Sequence, residues 1–221
     1  MIPHAFAPTL LVIAKEPLPG RVKTRLTPPF SPRQAADLAR AALTDTLRAL
    51  LDVPARRRVL VLDGAPGEWL PPGYDVLPQS GGGLDERLAA AFAAHAGAPA
   101  LLVGMDTPQL TAADLAPATG PAAWSRHDAW LGPAEDGGFW ALGLAAPDPA
   151  LLRGVPMSTP RTGQAQRDRL TAAGLRVGTL RRLRDVDTAA DAEAVAALAP
   201  HSAFAARLAH CAVHPAGAVT A

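Results

Sequence analysis

The sequence predicts an α/β domain of three layers, a mainly parallel central sheet with helices on both faces. Three observations predict it. Strand-like and helix-like segments alternate along most of the chain, which is the pattern of β-α units. The first apolar segment, Thr9 to Ala14, is continuously hydrophobic rather than alternating, as a strand buried on both faces must be. And 221 residues, 49% of them hydrophobic, suffice for one large core, with no apolar run near the roughly 18 residues of a membrane span.

The elements follow in order. After the strand Thr9–Ala14 comes a loop, Lys15 to Phe30. Ser31 and Pro32 then give an N-cap and a first-turn proline, and Ala35, Leu38, Ala39, Ala42, Leu43, Thr46, Leu47 and Leu50 recur at helical spacing up to about Asp52. Arg58 to Leu62 and Tyr74 to Leu77 read as strands, the Pro-rich stretch Pro66 to Pro78 as a surface excursion. Three glycines precede a helix over Leu84–His95. Ala100 to Met105 is a buried strand, and Thr111 with Asp114 opens a short helix. Asp128–Gly132 and Phe139–Leu144 are strands flanking a loop. A helix runs from Thr159-Pro160 to about Ala173, Leu175 to Val186 is extended, and Thr188 with Asp191 caps a helix to Leu198. Ser202 to Val213 is the last helix. No repeat or linker interrupts this, so residues 1–214 read as a single domain and residues 215–221 as a loose tail.

Composition narrows the function. A net charge of +1 gives no whole-molecule argument for nucleic acid, and no segment suggests a membrane. The N-terminus Met1-Ile2-Pro3-His4 has no secretory pattern, and Cys211 is the sole cysteine, so the expectation is a cytoplasmic protein without disulfides. His4, His95, His127, His201, His210 and His214 show no zinc spacing, and no GxSxG elbow exists. His210 and Cys211 are neighbours on a helix and face apart, so they do not form a nucleophile pair.

Five motifs carry chemistry. In the loop after the first strand, Lys15, Arg21, Lys23 and Arg25 fall within eleven residues, and Gly20 lets the backbone come close to a ligand. Such cations suit polyphosphate. GxxxxGK[ST] is absent, and the alternative is a solvated basic loop. Asp106, in Gly104-Met105-Asp106-Thr107-Pro108, tips a buried strand, where ligands of α/β sheets sit; its hard oxygens suit Mg²⁺ or Mn²⁺, or it caps a turn. Asp185 and Asp187, two apart at a strand's end, project from the same side of the strand and can meet one metal, unless Asp187 or Thr188 only caps the next helix. Glu135, Asp136, Gly137, Gly138 and Trp140 form a loop fit for an acceptor or sugar, or a tight hairpin. Gln79, Gly82 and Arg87 surround a helix start whose Asp85 and Glu86 would repel an anion, favouring a base or sugar there. Trp124, Trp130 and Trp140 either stack on a base or pack in the core.

In this order the motifs resemble the bacterial glycosyltransferase-A proteins grouped as DUF2064, over roughly Leu10 to Leu198. The resemblance implies a nucleotide-diphospho-sugar transferase-like fold. Lys15 with Lys23-Thr24-Arg25-Leu26 is also similar to the 2-phospholactate guanylyltransferases. That likeness implies Lys15, Lys23 and Arg25 on phosphate and Asp106, Asp185 and Asp187 on metal; of these, Lys23 and Asp106 are the candidate catalytic residues. Asp136-Gly137-Gly138-Phe139-Trp140 departs from the guanylyltransferases, so their acceptor does not transfer. The usual Asp-x-Asp of glycosyltransferases is reduced here to its first acid, Asp106.

The expectation is a metal-dependent transferase with a nucleotide donor and a small-molecule acceptor. Four cations suit a triphosphate, which tips the reading to nucleotidyl transfer onto a phosphate or carboxylate. The alternatives are sugar transfer from an NDP-sugar, or a non-catalytic binding protein that kept the fold. Two further expectations concern stability. Lys23, as an exposed loop cation, contributes little to it. The three aspartates repel one another without metal, so Asp106→Asn is at least as stable as wild type.

Overall fold

A computed structural model describes residues 7–213. The expectations for Met1 to His4, for His214 and for the tail 215–221 lie outside the described residues. Among the described residues seven strands form one sheet: β1 (Thr9–Lys15), β2 (Arg57–Asp63), β3 (Asp75–Pro78), β4 (Ala100–Gly104), β5 (Ala129–Pro133), β6 (Phe139–Leu144) and β7 (Val177–Thr179). Their spatial order is β3-β2-β1-β4-β6-β5-β7. Only β6 runs antiparallel to its neighbours β4 and β5; the other pairings are parallel. The chain steps from β1 outward to β3 and then returns to β4 on the other side of β1. The carboxyl ends of β1 and β4 therefore flank a topological switch point, where α/β sheets open a crevice.

The helices are α1 (Pro32–Leu51), α2 (Leu84–Ala93), α3 (Ala112–Thr119), α4 (Ala123–Arg126), α5 (Thr162–Ala172), α6 (Ala189–Leu198) and α7 (Ala203–Val213). Leu10, Val12 and Ala14 of β1 face one core with α1 residues Leu43, Leu47 and Leu50, while Leu11 faces the other with Leu88 and Phe92 of α2. This two-sided burial explains the continuous apolar run. A third cluster seals α1 against α6 and α7 through Leu38, Val195, Phe204 and Cys211. Burial also raises the Cys211 thiol pKa, which leaves it unsuited to nucleophilic work. Among the described residues no helix is long and apolar enough to cross a membrane.

Local chemistry sets the helix ends. Ser31 Oγ accepts the Gln34 N–H while the Gln34 side chain accepts the Ser31 N–H, a reciprocal cap on α1. Arg58 closes the other end by donating to the carbonyls of Leu50, Leu51 and Val53. Asp45, from the middle of α1, accepts the N–H groups of Ala203 and Phe204 and so caps α7 across the interface.

Two readings are corrected. The stretch Leu175–Val186 is not one strand: β7 covers three residues, and from Leu180 the chain is irregular apart from a single bridge between Leu183 and Ala134. The helix expected from Thr159 begins at Thr162, because Thr159 and Pro160 are spent on the turn before it; Thr159 Oγ1 accepts the Arg161 N–H. The short α4 had no signal strong enough to be read.

Candidate functional site

A cleft of about 920 Å³ opens at the carboxyl ends of β1 and β4. Its basic wall is the loop after β1, with Lys15, Arg21, Lys23 and Arg25, joined by Gln79, Gly82 and Arg87 from the approach to α2. Its floor carries Asp106 and Thr107. Its far wall carries Asp136, Gly138, Phe139 and Trp140, then Met157 to Pro160 and Thr162; Asp185 and Asp187 close the rim. Gly20, Glu135 and Gly137 are not among the lining residues.

The backbone explains why Asp185 and Asp187 reach Asp106. Glu135 N–H donates to the Leu183 carbonyl, Gln109 Nε2 to the Arg184 carbonyl at 2.7 Å, and Val186 N–H to the Asp106 carbonyl at 3.0 Å. Val186 is buried, so the acids on either side of it are held at the tip of β4. The convergence expected from spacing holds, but the carrier is an irregular segment fastened by long-range hydrogen bonds, not a strand.

The electrostatics differ from the expectation. Lys23 is not an exposed loop cation: its side chain is 8% exposed, with Nζ 2.8 Å from Asp106 Oδ1 and 3.2 Å from Asp187 Oδ1. Burial works to lower its pKa, but Asp106 and Asp187 outweigh this and the ammonium titrates above its ordinary value. Its backbone is left-handed, at φ 47° and ψ 39°, which turns the side chain inward. Arg25 Nη1 reaches Asp187 Oδ2 at 3.1 Å. The three aspartates are therefore not simply repelling one another. Asp106 and Asp187 are paired with cations of the loop; Asp185 makes no such ion pair, and its Oδ1, like that of Asp106, is buried without a hydrogen-bond partner. Burial first, then Asp106 and Asp136, push the Asp185 pKa up to about 8.

That orphaned oxygen beside Asp106 is a hard donor lacking positive charge, and it fits a divalent cation. Among the described residues no three His, Cys, Asp or Glu side chains are already gathered as a metal group. The Lys23 ammonium stands between Asp106 and Asp187, 2.8 Å from one and 3.2 Å from the other.

The base-side residues are tied into the scaffold. Gln79 Nε2 donates to the Ala14 and Val61 carbonyls, at 2.7 and 3.1 Å, bridging β1 and β2. Arg87 donates to Asp63, Gln79 and the Gly82 carbonyl. The acidic-pair loop is both a hairpin and a support. Gly137, at φ 89°, packs so tightly on Pro160 that a Cβ would collide with its carbonyl, and its own carbonyl accepts the Gly163 N–H at 2.8 Å. It thereby presents the Met157–Thr162 wall. Glu135 pairs with Arg184 instead. Trp140 is 2% exposed and donates from Nε1 to the Arg181 carbonyl, while Trp130 lies in the core with Trp124 packed against it. Core packing is the role of these rings.

Sequence reading missed the wall Met157 to Thr162 and the partner Asp63. Ser158-Thr159-Pro160 carried a helix-start signal, but nothing in spacing placed it across the cleft.

Residues 38–159 match the model of a family described as "Uncharacterized protein conserved in bacteria (DUF2064)". The chain is similar to a Desulfovibrio desulfuricans G20 protein described as a "putative nucleotide-diphospho-sugar transferase", at 25% identity and a TM-score of 0.83 over 93% of this chain and 95% of that one. Two further structures share the fold. One is the 2-C-methyl-D-erythritol 4-phosphate cytidylyltransferase of Thermus thermophilus, at 17% identity and a TM-score of 0.54 over 88% and 99% of the two chains. The other is the inositol-1-phosphate CTP transferase of T. maritima, at 10% identity and 0.54 over 87% and 96%. No curated protein matches the chain. The fold is that of nucleotidyl and sugar-nucleotide transferases.

Proposed function

The chain belongs to the DUF2064 family, and on that premise we propose that it is a single-domain, metal-dependent transferase that takes a group from a nucleotide donor to a small-molecule acceptor. The observation that carries this reading is one cleft at the sheet's switch point with a cationic loop on one wall, Asp106 on its floor and Asp185 and Asp187 on its rim. Lys15, Arg21, Lys23 and Arg25 are the residues for the donor's phosphates. Gly82, with Gln79 and Arg87 holding the backbone around it, is the place for its base. Asp106, Asp185 and Asp187 would hold Mg²⁺ or Mn²⁺. When bound, such an ion neutralises charge that builds on the leaving phosphates.

Five cations on the lining, Arg87 included, suit a triphosphate, so the leading reading is nucleotidyl transfer. An acceptor oxygen forms a bond to the α-phosphorus, the bond to the bridging oxygen breaks, and pyrophosphate leaves. Asp136 is placed on the far wall to take the acceptor's proton. That wall carries the hydroxyls of Ser158, Thr159 and Thr162 and the apolar Phe139 and Met157, with no Lys or Arg among its lining residues. This favours an acceptor hydroxyl over the phosphate or carboxylate suggested by the sequence. The reaction is assigned to the cytoplasm, where nucleotide donors are made.

The second reading, sugar transfer from an NDP-sugar, is favoured by the likeness to the Desulfovibrio protein. A thermal-shift panel of NTPs and NDP-sugars, with Mg²⁺ and with EDTA, separates them. A ligand at 100 times its dissociation constant stabilises by about 2.7 kcal/mol. Stabilisation by an NTP supports nucleotidyl transfer, and stabilisation only by NDP-sugars supports sugar transfer. A flat response to every nucleotide would leave the non-catalytic alternative.

A further inference from the structure

Lys23 has two calls on one ammonium. Its position in the loop suits phosphate, yet its Nζ is engaged by Asp106 and Asp187, and Arg25 reaches the second oxygen of Asp187. The loop has turned two of its cations onto the carboxylates read above as metal ligands. Lys23 has a left-handed backbone, a conformation that a non-glycine residue keeps where its surroundings hold it: its carbonyl accepts the Leu26 N–H at 2.9 Å and its ammonium is engaged by the two carboxylates. An ammonium and a divalent ion cannot share the same carboxylate oxygens, because like charges at that distance repel.

We propose that Lys23 is the site's exchangeable counter-ion: it holds Asp106 and Asp187 in the free protein, yields them to the divalent metal, and then turns with Arg25 to the donor's phosphates. The proposal rests on the metal reading above. It makes metal and donor binding cooperative. Metal alone must break the Lys23 pairs and leave that ammonium without a partner. A donor alone meets Lys23 and Arg25 already engaged. Together, each occupies what the other has released, and the coupling is reciprocal.

The chain offers an internal control, since its two lysines are Lys15 and Lys23 and Lys15 is exposed. Wild-type protein is acetylated with an N-hydroxysuccinimide ester at fixed pH, and both sites are read by mass spectrometry during a Mn²⁺ titration. Mn²⁺ binding is followed by electron paramagnetic resonance. Lys23 is expected to react much more slowly than Lys15 without metal, and to gain at least about fivefold relative to Lys15 at saturation, the low end of typical coupling. Bound Mn²⁺ with unchanged Lys23 labelling would overturn the exchange and leave the metal reading standing. Absence of Mn²⁺ binding would overturn both.

A second arm compares Mn²⁺ affinity in Lys23→Met and Arg21→Met. Arg21 lines the same cleft and controls for the simple loss of a positive charge. Lys23→Met should tighten Mn²⁺ about 5- to 150-fold without nucleotide, clearly more than Arg21→Met. Equal effects in the two variants would overturn the exchange.

Discussion

Arg87 Nη1 lies 2.9 Å from Asp63 Oδ2 and 3.1 Å from Gln79 Oε1, so one side chain from the first turn of α2 fastens the ends of β2 and β3. The contact holds the Asp63 carboxyl below its ordinary range, chiefly through the Arg87 hydrogen bond. Arg87→Met should release Gln79 and the Gly82 turn together. Donor affinity should fall by about tenfold while the fold persists, because one charged hydrogen bond is worth roughly 1.5–3 kcal/mol. Calorimetric titration of the donor found by the nucleotide panel checks this, and unchanged affinity would separate Arg87 from the base site.

Burial makes Lys23 a stability determinant. Metal-free Lys23→Ala should lose about 1.5–3 kcal/mol, the range for hydrogen bonds to charged groups, since it deprives two carboxylates of a shared partner. Arg25, whose side chain is 73% exposed, should cost less than about 1 kcal/mol as Arg25→Ala. Urea unfolding in EDTA measures both, and equal losses would contradict the unequal burial.

The two central acids should respond oppositely to neutralisation. In EDTA, Asp106→Asn weakens the best contact of a buried ammonium and should destabilise by about 1–2 kcal/mol. Asp185→Asn replaces a buried carboxyl whose ionised form lacks a partner and which the folded protein keeps protonated near neutral pH at a cost in stability, so the variant should be at least as stable as wild type there. With Mn²⁺ the order should reverse for Asp185, whose charge the ion then compensates. Melting temperatures with and without metal decide it.

Acid should loosen the far edge of the sheet. Arg176 donates two side-chain hydrogen bonds to the Asp128 carboxylate and its backbone N–H a third, which brings the Asp128 pKa down to about 2. A carboxylate with a depressed folded pKa contributes stability above its unfolded value of about 3.9 and loses it as pH falls through the folded one. Wild type should therefore exceed Asp128→Asn in stability at about pH 6, and the gap should close between about pH 4 and 2. A gap independent of pH would mean that shape, not charge, joins β5 to β7.

How much of this was legible beforehand depends on range. Ser31-Pro32 and Thr188 with Asp191 announce helices because a cap is settled within one turn of chain. Leu10 to Ala14 announces a strand buried on both faces because burial leaves no polar side to alternate. The order of basic loop, strand-tip acid and late acid pair placed Lys15, Lys23, Arg25, Asp106, Asp185 and Asp187 in one cleft, since strand tips at a switch point converge by topology. What spacing could not carry is the state of those charges. Lys23 and Asp187 are 164 residues apart, and their pairing depends on a left-handed backbone at Lys23 and on Val186 docking against Asp106. The Met157–Thr162 wall likewise faces the cleft only because Gly137 and Gly163 meet without side chains between them. Local sequence determined the elements and the inventory of charges; only the tertiary structure decided which charge neutralises which, because that follows from distance and desolvation between segments remote in the chain.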